Sequence, residues 1–112
     1  MVTQHFEAND VFRALADPTR REILSILRDG GQPVNTIASR FPVSRPAISK
    51  HLRLLREANL VIEVTEGRQR IYHIDPEPLV EVDEWLDDYR KMWKSKLKNL
   101  KRYLESKGAK KK

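Results

Sequence analysis

The sequence contains no cysteine, and histidine is scarce, with three in 112 residues. Without cysteine the chain can form no disulfide, offers no thiolate to a metal ion and has no cysteine nucleophile. No histidine follows His73, so the aspartates of the last third, Asp83, Asp87 and Asp88 among them, would make a poor zinc site. We therefore predict no metal site and no cofactor.

Two further absences narrow the class of protein. No apolar run approaches the roughly 18 residues of a membrane-spanning helix, and the start, MVTQHFEAND, lacks the basic and apolar regions of a signal peptide. There is no Ser/His/Asp set, no Gly-rich phosphate loop and no paired carboxylates beyond those of an ordinary helix face. We expect a cytoplasmic protein without membrane association, catalytic residues or enzymatic activity.

Positive charge is what the sequence has in excess. Its 22 Lys and Arg outnumber 16 Asp and Glu, which gives a formal charge of +6 and a pI near 9.8. Such a surplus suits an anionic partner, either a nucleic acid or a membrane surface. The length fits one domain, which we predict over residues 1–106, followed by a basic, disordered tail over residues 107–112.

Helical signals fill the first 40 residues. Apolar residues recur at helical spacing over residues 8–15. An Asp-Pro pair at residues 17–18 predicts the N-cap and first residue of a second helix, which ends at the Gly30-Gly31 pair. Residues 34–41 fit a short third helix that Pro42 stops.

Residues 44–59, SRPAISKHLRLLREAN, predict a fourth helix with an unusual polar face. Ser44 suits its N-cap, Pro46 is tolerated in its first turn, and Asn59 suits the left-handed residue that closes it. Five cations and no acid occur from residue 40 to residue 56, whereas a solvated helix usually mixes both signs. The inward face carries Ile48, Leu52 and Leu55.

A β-hairpin signal follows over residues 60–74. Ile62 and Val64 share one face of its first strand, and Arg68 and Arg70 lie at its tip. Two helices joined by a tight turn and followed by a hairpin are typical of a winged helix-turn-helix. We therefore predict a mainly α fold with a small β-hairpin wing.

In such a fold the second helix of the pair enters the major groove, where donors and cations meet phosphates and base edges. His51 lies on the flank of that helix, where it could donate to a phosphate or pack against a neighbouring helix. Thr19, Arg20 and Arg21 could also touch phosphates through the start of their own helix. The candidate DNA-binding residues are Ser44, Arg45, Pro46, Ser49, Lys50, His51, Arg53, Arg68 and Arg70.

Four blocks of the sequence carry a family resemblance: VFRALADPTRREIL at residues 11–24, VSRPAISKHL at 43–52, LREANLV at 55–61 and EGRQRIY at 66–72. They resemble the ArsR-type (ArsR/SmtB) winged helix-turn-helix transcriptional repressors, and within that family the metal-independent branch that includes the Sdp-type autorepressors. The resemblance implies a homodimer that binds an inverted-repeat operator in double-stranded DNA and represses transcription until an effector, here unknown, releases it. It also implies that the first and last helices build the dimer interface, for which the candidates are Phe12, Leu79, Val82, Leu86, Tyr89 and Trp93.

The chain departs from the family pattern where metals bind. Metal-sensing members carry cysteine pairs in the helix before the recognition helix, whereas residues 34–41 here contain none. Other members bind zinc through Asp and His on the last helix, and that helix has no histidine here. Asn59 also replaces the usual glycine, which a left-handed helix end can absorb. The departures predict a repressor that is not regulated by a metal.

The last predicted helix, residues 78–106, has an apolar stripe wider than one small domain needs. Trp85, Tyr89, Met92 and Trp93 suit either a packed core and dimer interface or a small-molecule pocket. Six acids fill residues 77–88 and seven bases residues 90–102. Two such helices paired antiparallel would place acid against base, although the same layout suits the helix dipole, and the basic half could contact DNA beside the operator.

Three functions remain open on these observations. The first is a sequence-specific, homodimeric DNA-binding repressor. The second is a winged-helix module that binds other proteins through its aromatic last helix. The third is a repressor that senses a small molecule in a pocket on that helix.

Overall fold

The structure, a computed structural model, describes residues 8–108. The elements in chain order are α1 (Ala8–Leu15), α2 (Pro18–Leu27), β1 (Gln32–Pro33), α3 (Val34–Ala38), α4 (Arg45–Glu57), β2 (Val61–Glu66), β3 (Gln69–Ile74) and α5 (Glu77–Ser106). The predicted fold class, mainly α with a β wing, is confirmed. Chain contacts divide the protein into two units, the first ending at Leu79 and the second beginning at Val80. Most of the predicted disordered tail, residues 109–112, lies outside the described residues.

The core of the first unit is made of aliphatic side chains from the helices and the start of β2. Ile48, Leu52 and Leu55 are fully buried, so the predicted inward face of α4 is confirmed. Each such side chain contributes roughly 1.5–3 kcal/mol when removed from water. The other fully buried side chains are Val11, Ile23, Leu27, Ile37, Leu60 and Val61.

The start of α2 is capped as the sequence predicts. Asp17 has an extended backbone, and its Oδ2 accepts a hydrogen bond from the Arg20 backbone N–H at 3.1 Å. Pro18 follows in the first turn. Burial alone would raise the pKa of Asp17, but the backbone hydrogen bond from Arg20 and the positive charge of Arg20 outweigh it and lower the pKa below 3.8. The ionised carboxylate is therefore the form that the fold stabilises.

Replacement of Asp17 should reveal this contribution. Asp17→Ala removes the cap and is expected to lower the free energy of unfolding by about 1 kcal/mol at neutral pH. Asp17→Asn keeps a capping oxygen and loses only the part of the stabilisation that depends on the negative charge. Because the folded pKa is depressed, that part is present above the unfolded pKa and disappears as the pH falls through the folded value. Urea unfolding from pH 7 to pH 3 would contradict this if the gap between wild type and Asp17→Asn stayed constant.

Arg20 and Arg21 bind the carboxyl-terminal end of α1. Arg20 Nε donates to the Ala14 carbonyl at 2.9 Å and its Nη2 donates to the Arg13 carbonyl at 3.0 Å. Arg21 Nη1 donates to the Leu15 carbonyl at 2.9 Å. The last carbonyls of a helix have no intrahelical partner, so these bonds satisfy them. The guanidinium donors of Arg20 therefore serve the joint between two helices, where the sequence suggested a phosphate contact.

The helix before the recognition helix is shorter than predicted. α3 ends at Ala38, whereas the sequence pattern extends it to residue 41. Ser39 Oγ donates to the Thr36 carbonyl at 2.7 Å, and Phe41 N–H donates to the Ala38 carbonyl at 3.1 Å, three residues back. These short-range bonds tighten the chain into turns before Pro42 is reached.

The sheet has three antiparallel strands in the order β1-β3-β2, so the predicted hairpin is confirmed and a third strand is added. β1 pairs Gln32 with Tyr72 and Pro33 with Ile71. Proline lacks a backbone donor and is tolerated here because β1 lies at the edge of the sheet. β2 and β3 meet at a two-residue turn in which Gly67 has φ +64°, a conformation that glycine adopts without steric cost.

Gly31 lies against the ring of His73 on β3. A Cβ built at Gly31 would be 2.3 Å from His73 Cε1, closer than two atoms can approach without displacement. The absence of a side chain at Gly31 therefore lets the loop after α2 pack on the central strand.

Gly31→Ala should destabilise the fold by about 1–3 kcal/mol, because the added methyl must displace the His73 ring. In a His73→Ala background the same substitution should cost less than about 0.5 kcal/mol. Thermal or urea unfolding of the four proteins of this cycle measures the coupling. Equal cost in both backgrounds would show that the close approach does not limit Gly31.

The second unit is the bulk of α5, a helix of 30 residues and about 45 Å. Its apolar side chains are largely exposed, among them Trp85, Tyr89, Met92, Trp93, Leu97, Leu100, Tyr103 and Leu104. Trp85 and Tyr89 have ring centroids 5.0 Å apart. Arg90 pairs with Asp83 and with Asp87, at 3.1 Å from Asp87 Oδ1, where the acidic half meets the basic half. No helix within residues 8–108 is both long and apolar enough to cross a bilayer.

Candidate nucleic-acid interface

The recognition helix α4 begins at a capped turn. Ser44 Oγ accepts a hydrogen bond from the Ala47 N–H at 3.3 Å, and Pro46 lies in the first turn, where its missing N–H is not needed. At the other end Asn59 has φ +61°, which confirms the predicted left-handed helix end. The helix axis is thus defined at both ends by local sequence.

The outward face of α4 is polar and exposed. Arg45, Pro46, Ser49, Lys50 and Arg53 are all exposed, as predicted. Glu57 lies at the end of the helix, and its Oε2 is 3.8 Å from Arg53 Nε. Exposed pairs of this kind contribute little energy, so Arg53 stays available to another anion. The face can offer donors to phosphate oxygens and to the acceptor edges of guanine.

Two adjoining clefts separate α4 from the wing. The larger, about 730 Å³, is lined by Pro46, Ser49, Lys50, Arg53, Arg56, Arg70 and Tyr72. The smaller, about 270 Å³, is lined by Pro33, Val34, Asn35, Arg45, Ser49, Arg68, Gln69, Arg70 and Tyr72. Neither lining contains an acid. The structure therefore brings the predicted wing arginines to the same clefts as most of the predicted helix residues, whereas Ser44 and His51 line neither cleft.

His51 occupies a half-buried position against α2. Arg20 Nη1 lies 3.3 Å from His51 Nδ1, and Asp17 Oδ2 lies 3.9 Å from the same atom. Because a guanidinium can only donate, the shorter contact makes Nδ1 an acceptor and leaves the hydrogen on Nε2. Of the two roles that the sequence leaves open, packing against the neighbouring helix is observed, and the Nε2–H remains as a donor.

Sequence reasoning missed Glu63 on β2. Its side chain is only 15% exposed, its Oε2 lies 3.2 Å from Arg70 Nε, and its Oε1 accepts a hydrogen bond from Arg56. It is paired across the sheet with Tyr72. Burial and the Glu63 charge raise the pKa of Tyr72 above 10, so the phenol stays protonated. The signal in the sequence is that Glu63 shares a strand face with the buried Val61 and so needs partners.

Asn35 and Gln69 are further cleft residues that the sequence did not single out. Both side chains are neutral amides, so an excess of positive charge does not identify them. An amide can read an adenine edge or bind a phosphate, so their chemistry suits the same cleft.

The residues predicted for a dimer interface fall on two helices. On α1, Phe12 is exposed. On α5, Leu79, Val82 and Leu86 are partly exposed, whereas Tyr89 and Trp93 are exposed. Within residues 8–108 no group of three or more His, Cys, Asp or Glu side chains is arranged to hold a metal ion.

Comparison with known proteins agrees with this geometry. A family model described as a helix-turn-helix domain matches residues 15–64. The HTH-type transcriptional regulator Rv2034 of Mycobacterium tuberculosis is 38% identical over 97 residues, which cover 87% of this chain and 88% of that protein. The transcriptional repressor SdpR of Bacillus subtilis is 36% identical over 78 residues, or 70% of this chain and 87% of that one.

A solved structure shows the same fold. The crystal structure of the ArsR family transcriptional regulator RHA00566 matches with a TM-score of 0.70 and 35% identity, covering 77% of this chain and 94% of that one. Its likeness extends the sequence matches to the three-dimensional arrangement of helices and wing. The chain therefore belongs to the ArsR-type winged helix-turn-helix transcriptional regulators.

Proposed function

We propose that the protein is a homodimeric repressor that binds an inverted-repeat operator through α4 and the wing, without regulation by a metal. The observation that carries this proposal is the pair of acid-free clefts between α4 and β3, which place six cations beside one exposed helix face. Duplex DNA carries about one negative charge per 1.7 Å of axis, so such a surface attracts it strongly.

The residues divide into two roles on this proposal. Arg45, Ser49, Lys50 and Arg53 on the exposed face of α4 enter the major groove and supply the base-edge contacts. Arg68 at the wing tip and Arg70 beside it contact the phosphate backbone or the neighbouring minor groove. Ser44 and Pro46 hold the first turn of α4 against the duplex, and His51 offers its Nε2–H to a phosphate.

Dimerisation through α5 is supported by the exposure of its apolar stripe. Trp93 is 39% exposed and Leu97 60% exposed in the single chain, and contiguous apolar surface of this kind is typical of an interface. A second copy is the partner that fits best, because the acidic half of α5 complements its own basic half when two helices run antiparallel. Phe12 on α1 would add to the same interface.

The experiment starts from a random-sequence duplex library, from which the purified protein enriches its preferred sites. The affinity for an enriched duplex is then compared with that for a scrambled duplex at about 0.15 M salt, where nonspecific binding is weak. We expect a preference of roughly a thousandfold or more and a footprint of two half-sites related by inversion. Equal affinity for both duplexes would contradict the proposal and favour a protein-binding role. Added zinc or a chelator should leave the preference unchanged.

Autorepression is the finer part of the proposal. The DNA upstream of the protein's own coding sequence should contain an enriched site, and its footprint should overlap the promoter. A footprint found only at other promoters would show that the protein represses other genes instead.

A further inference from the structure

We propose that Glu63 is a specificity-determining positioning residue: it holds Arg56 and Arg70 in a fixed arrangement and cancels one of their two charges, which limits binding to DNA of unrelated sequence. This inference rests on the proposed DNA-binding role of the clefts between α4 and the wing.

Glu63 joins the recognition helix to the wing, and both arginines that it pairs with line the larger cleft. Each carboxylate oxygen forms an ion pair with a different arginine. Oε1 pairs with Arg56 at the end of α4, and Oε2 pairs with Arg70 on β3. Tyr72 is paired with Glu63 across the sheet, and the charge of the carboxylate contributes to raising the pKa of the Tyr72 phenol. One carboxylate thus interacts with side chains of two elements besides its own strand.

The carboxylate of Glu63 is much less exposed than the two arginine side chains that pair with it. Glu63 is 15% exposed, whereas the side chains of Arg56 and Arg70 are 46% and 71% exposed. The carboxylate is therefore shielded at the base, and the guanidinium groups extend from it towards the cleft that they line. A phosphate approaching the cleft meets the arginines and not the acid.

Charge cancellation has a definite consequence for DNA binding. The group formed by Arg56, Arg70 and Glu63 has a net charge of +1, where two free arginines would have +2. One phosphate contact changes the slope of log K against log salt by about 0.9 and is worth about fivefold at about 0.15 M salt, whatever the sequence. Because Glu63 cancels one unit of positive charge, it lowers the affinity for every duplex, including the unrelated duplexes that compete with the operator.

The fixed arrangement affects the operator differently. The ion pair at 3.2 Å keeps the Nε side of the Arg70 guanidinium facing Glu63 Oε2, so its terminal N–H groups point in the opposite direction. A correctly docked duplex can present its phosphate to that direction, whereas one that docks in other registers cannot. Preorganised donors therefore favour the correctly docked duplex over a duplex that docks in other registers. Glu63 should therefore widen the gap between specific and nonspecific affinity.

The other ion pair on this face lacks these properties. Arg53 and Glu57 are 55% and 64% exposed and 3.8 Å apart, so water competes for both charges. Nothing holds the Arg53 guanidinium in one direction. The inference is for this reason confined to Glu63.

The test compares Glu63→Gln with Glu66→Gln. Both substitutions raise the net charge by one on the same strand, but Glu66 is exposed and forms no ion pair among the described residues. Affinity is measured over a salt series for an unselected duplex and for a duplex that the wild-type protein enriched from a random library. Glu63→Gln should raise affinity for the unselected duplex about fivefold and steepen its salt slope by about 0.9. It should raise affinity for the enriched duplex less, so that the ratio falls. Glu66→Gln should shift both duplexes slightly and equally.

Two results would overturn the inference. One is an equal gain for both duplexes with Glu63→Gln, and the other is a change no larger than that with Glu66→Gln. If wild type prefers neither duplex, the proposed sequence-specific function fails, while the salt slope on the unselected duplex still tests the charge cancellation. If wild type binds neither duplex, both proposals fail.

A second pair of variants covers the case in which Glu63→Gln does not fold, which thermal unfolding reports. Arg70→Gln and Arg68→Gln are then compared on both duplexes. Each removes one positive charge, so each should flatten the salt slope on the unselected duplex by about 0.9. Arg70 pairs with Glu63, whereas Arg68 forms no ion pair among the described residues, so Arg70→Gln should lower the ratio of enriched to unselected affinity and Arg68→Gln should not. An equal change in this ratio for both variants would contradict the inference.

Discussion

Replacing Lys50 and Arg53 together with glutamate is expected to lower the affinity for the enriched duplex by about a thousandfold. Both side chains are exposed on the outward face of α4 and line the larger cleft. Each substitution removes a donor cation and places an anion where phosphates or base edges would lie. The affinity is measured by fluorescence anisotropy or gel shift at a stated salt concentration.

A matched control separates this effect from net charge. Lys50→Glu alone and Arg28→Glu alone change the charge by the same amount, and Arg28 is exposed at the end of α2, outside both clefts. Lys50→Glu should weaken binding by about tenfold to a hundredfold, and Arg28→Glu by a few-fold only. Similar losses for both variants would mean that the general field of the protein, and not α4, binds the duplex.

If the proposed homodimer forms through α5, Trp93→Asp is expected to dissociate it and to weaken binding to the proposed operator by about a hundredfold or more. Burying a large aromatic side chain contributes roughly 2–3 kcal/mol, and a two-fold interface counts the loss twice. Without the second copy, one recognition helix must bind one half-site alone. Sedimentation equilibrium or light scattering gives the mass of the species, and gel shift gives the affinity.

Ser95→Asp supplies the control for this variant. It adds the same charge on the same helix, about 200° around the axis from Trp93, and Ser95 is exposed. The dimer should persist in Ser95→Asp. A Trp93→Asp protein that stays dimeric would show that another surface, not the α5 stripe, joins the copies.

Local signals explain most of the fold that the sequence predicted. Asp17 and Ser44 are caps whose hydrogen bonds close within three residues, and Asn59 is a left-handed helix end, so each can be identified from its neighbours alone. The inward residues of α4 follow from a spacing of three and four. The cationic outward face of the same helix was visible for the same reason.

Contacts between residues far apart in the sequence could not be predicted from it. β1 has two residues and exists only because Gln32 and Pro33 meet β3 some forty residues later, so no periodicity marks it. Alternation suggested an apolar face at Ile62 and Val64, yet both are exposed, and the face that carries Glu63 turns towards α4. That face is polar because it ends in a cleft open to solvent. The grouping of Glu63 with Arg56, Arg70 and Tyr72 could not be predicted from residue spacing, because these residues belong to three different elements.

The contacts of Arg20 have a mechanical consequence. One guanidinium binds two carbonyls at the end of α1 and also approaches the imidazole of His51 in α4. A displacement of α1 by more than the tolerance of a hydrogen bond, a few tenths of an ångström, must break these bonds or carry His51 along. The end of α1 and the recognition helix are thereby linked through one arginine side chain, so a displacement of the first helix either breaks this link or reaches His51 of the second.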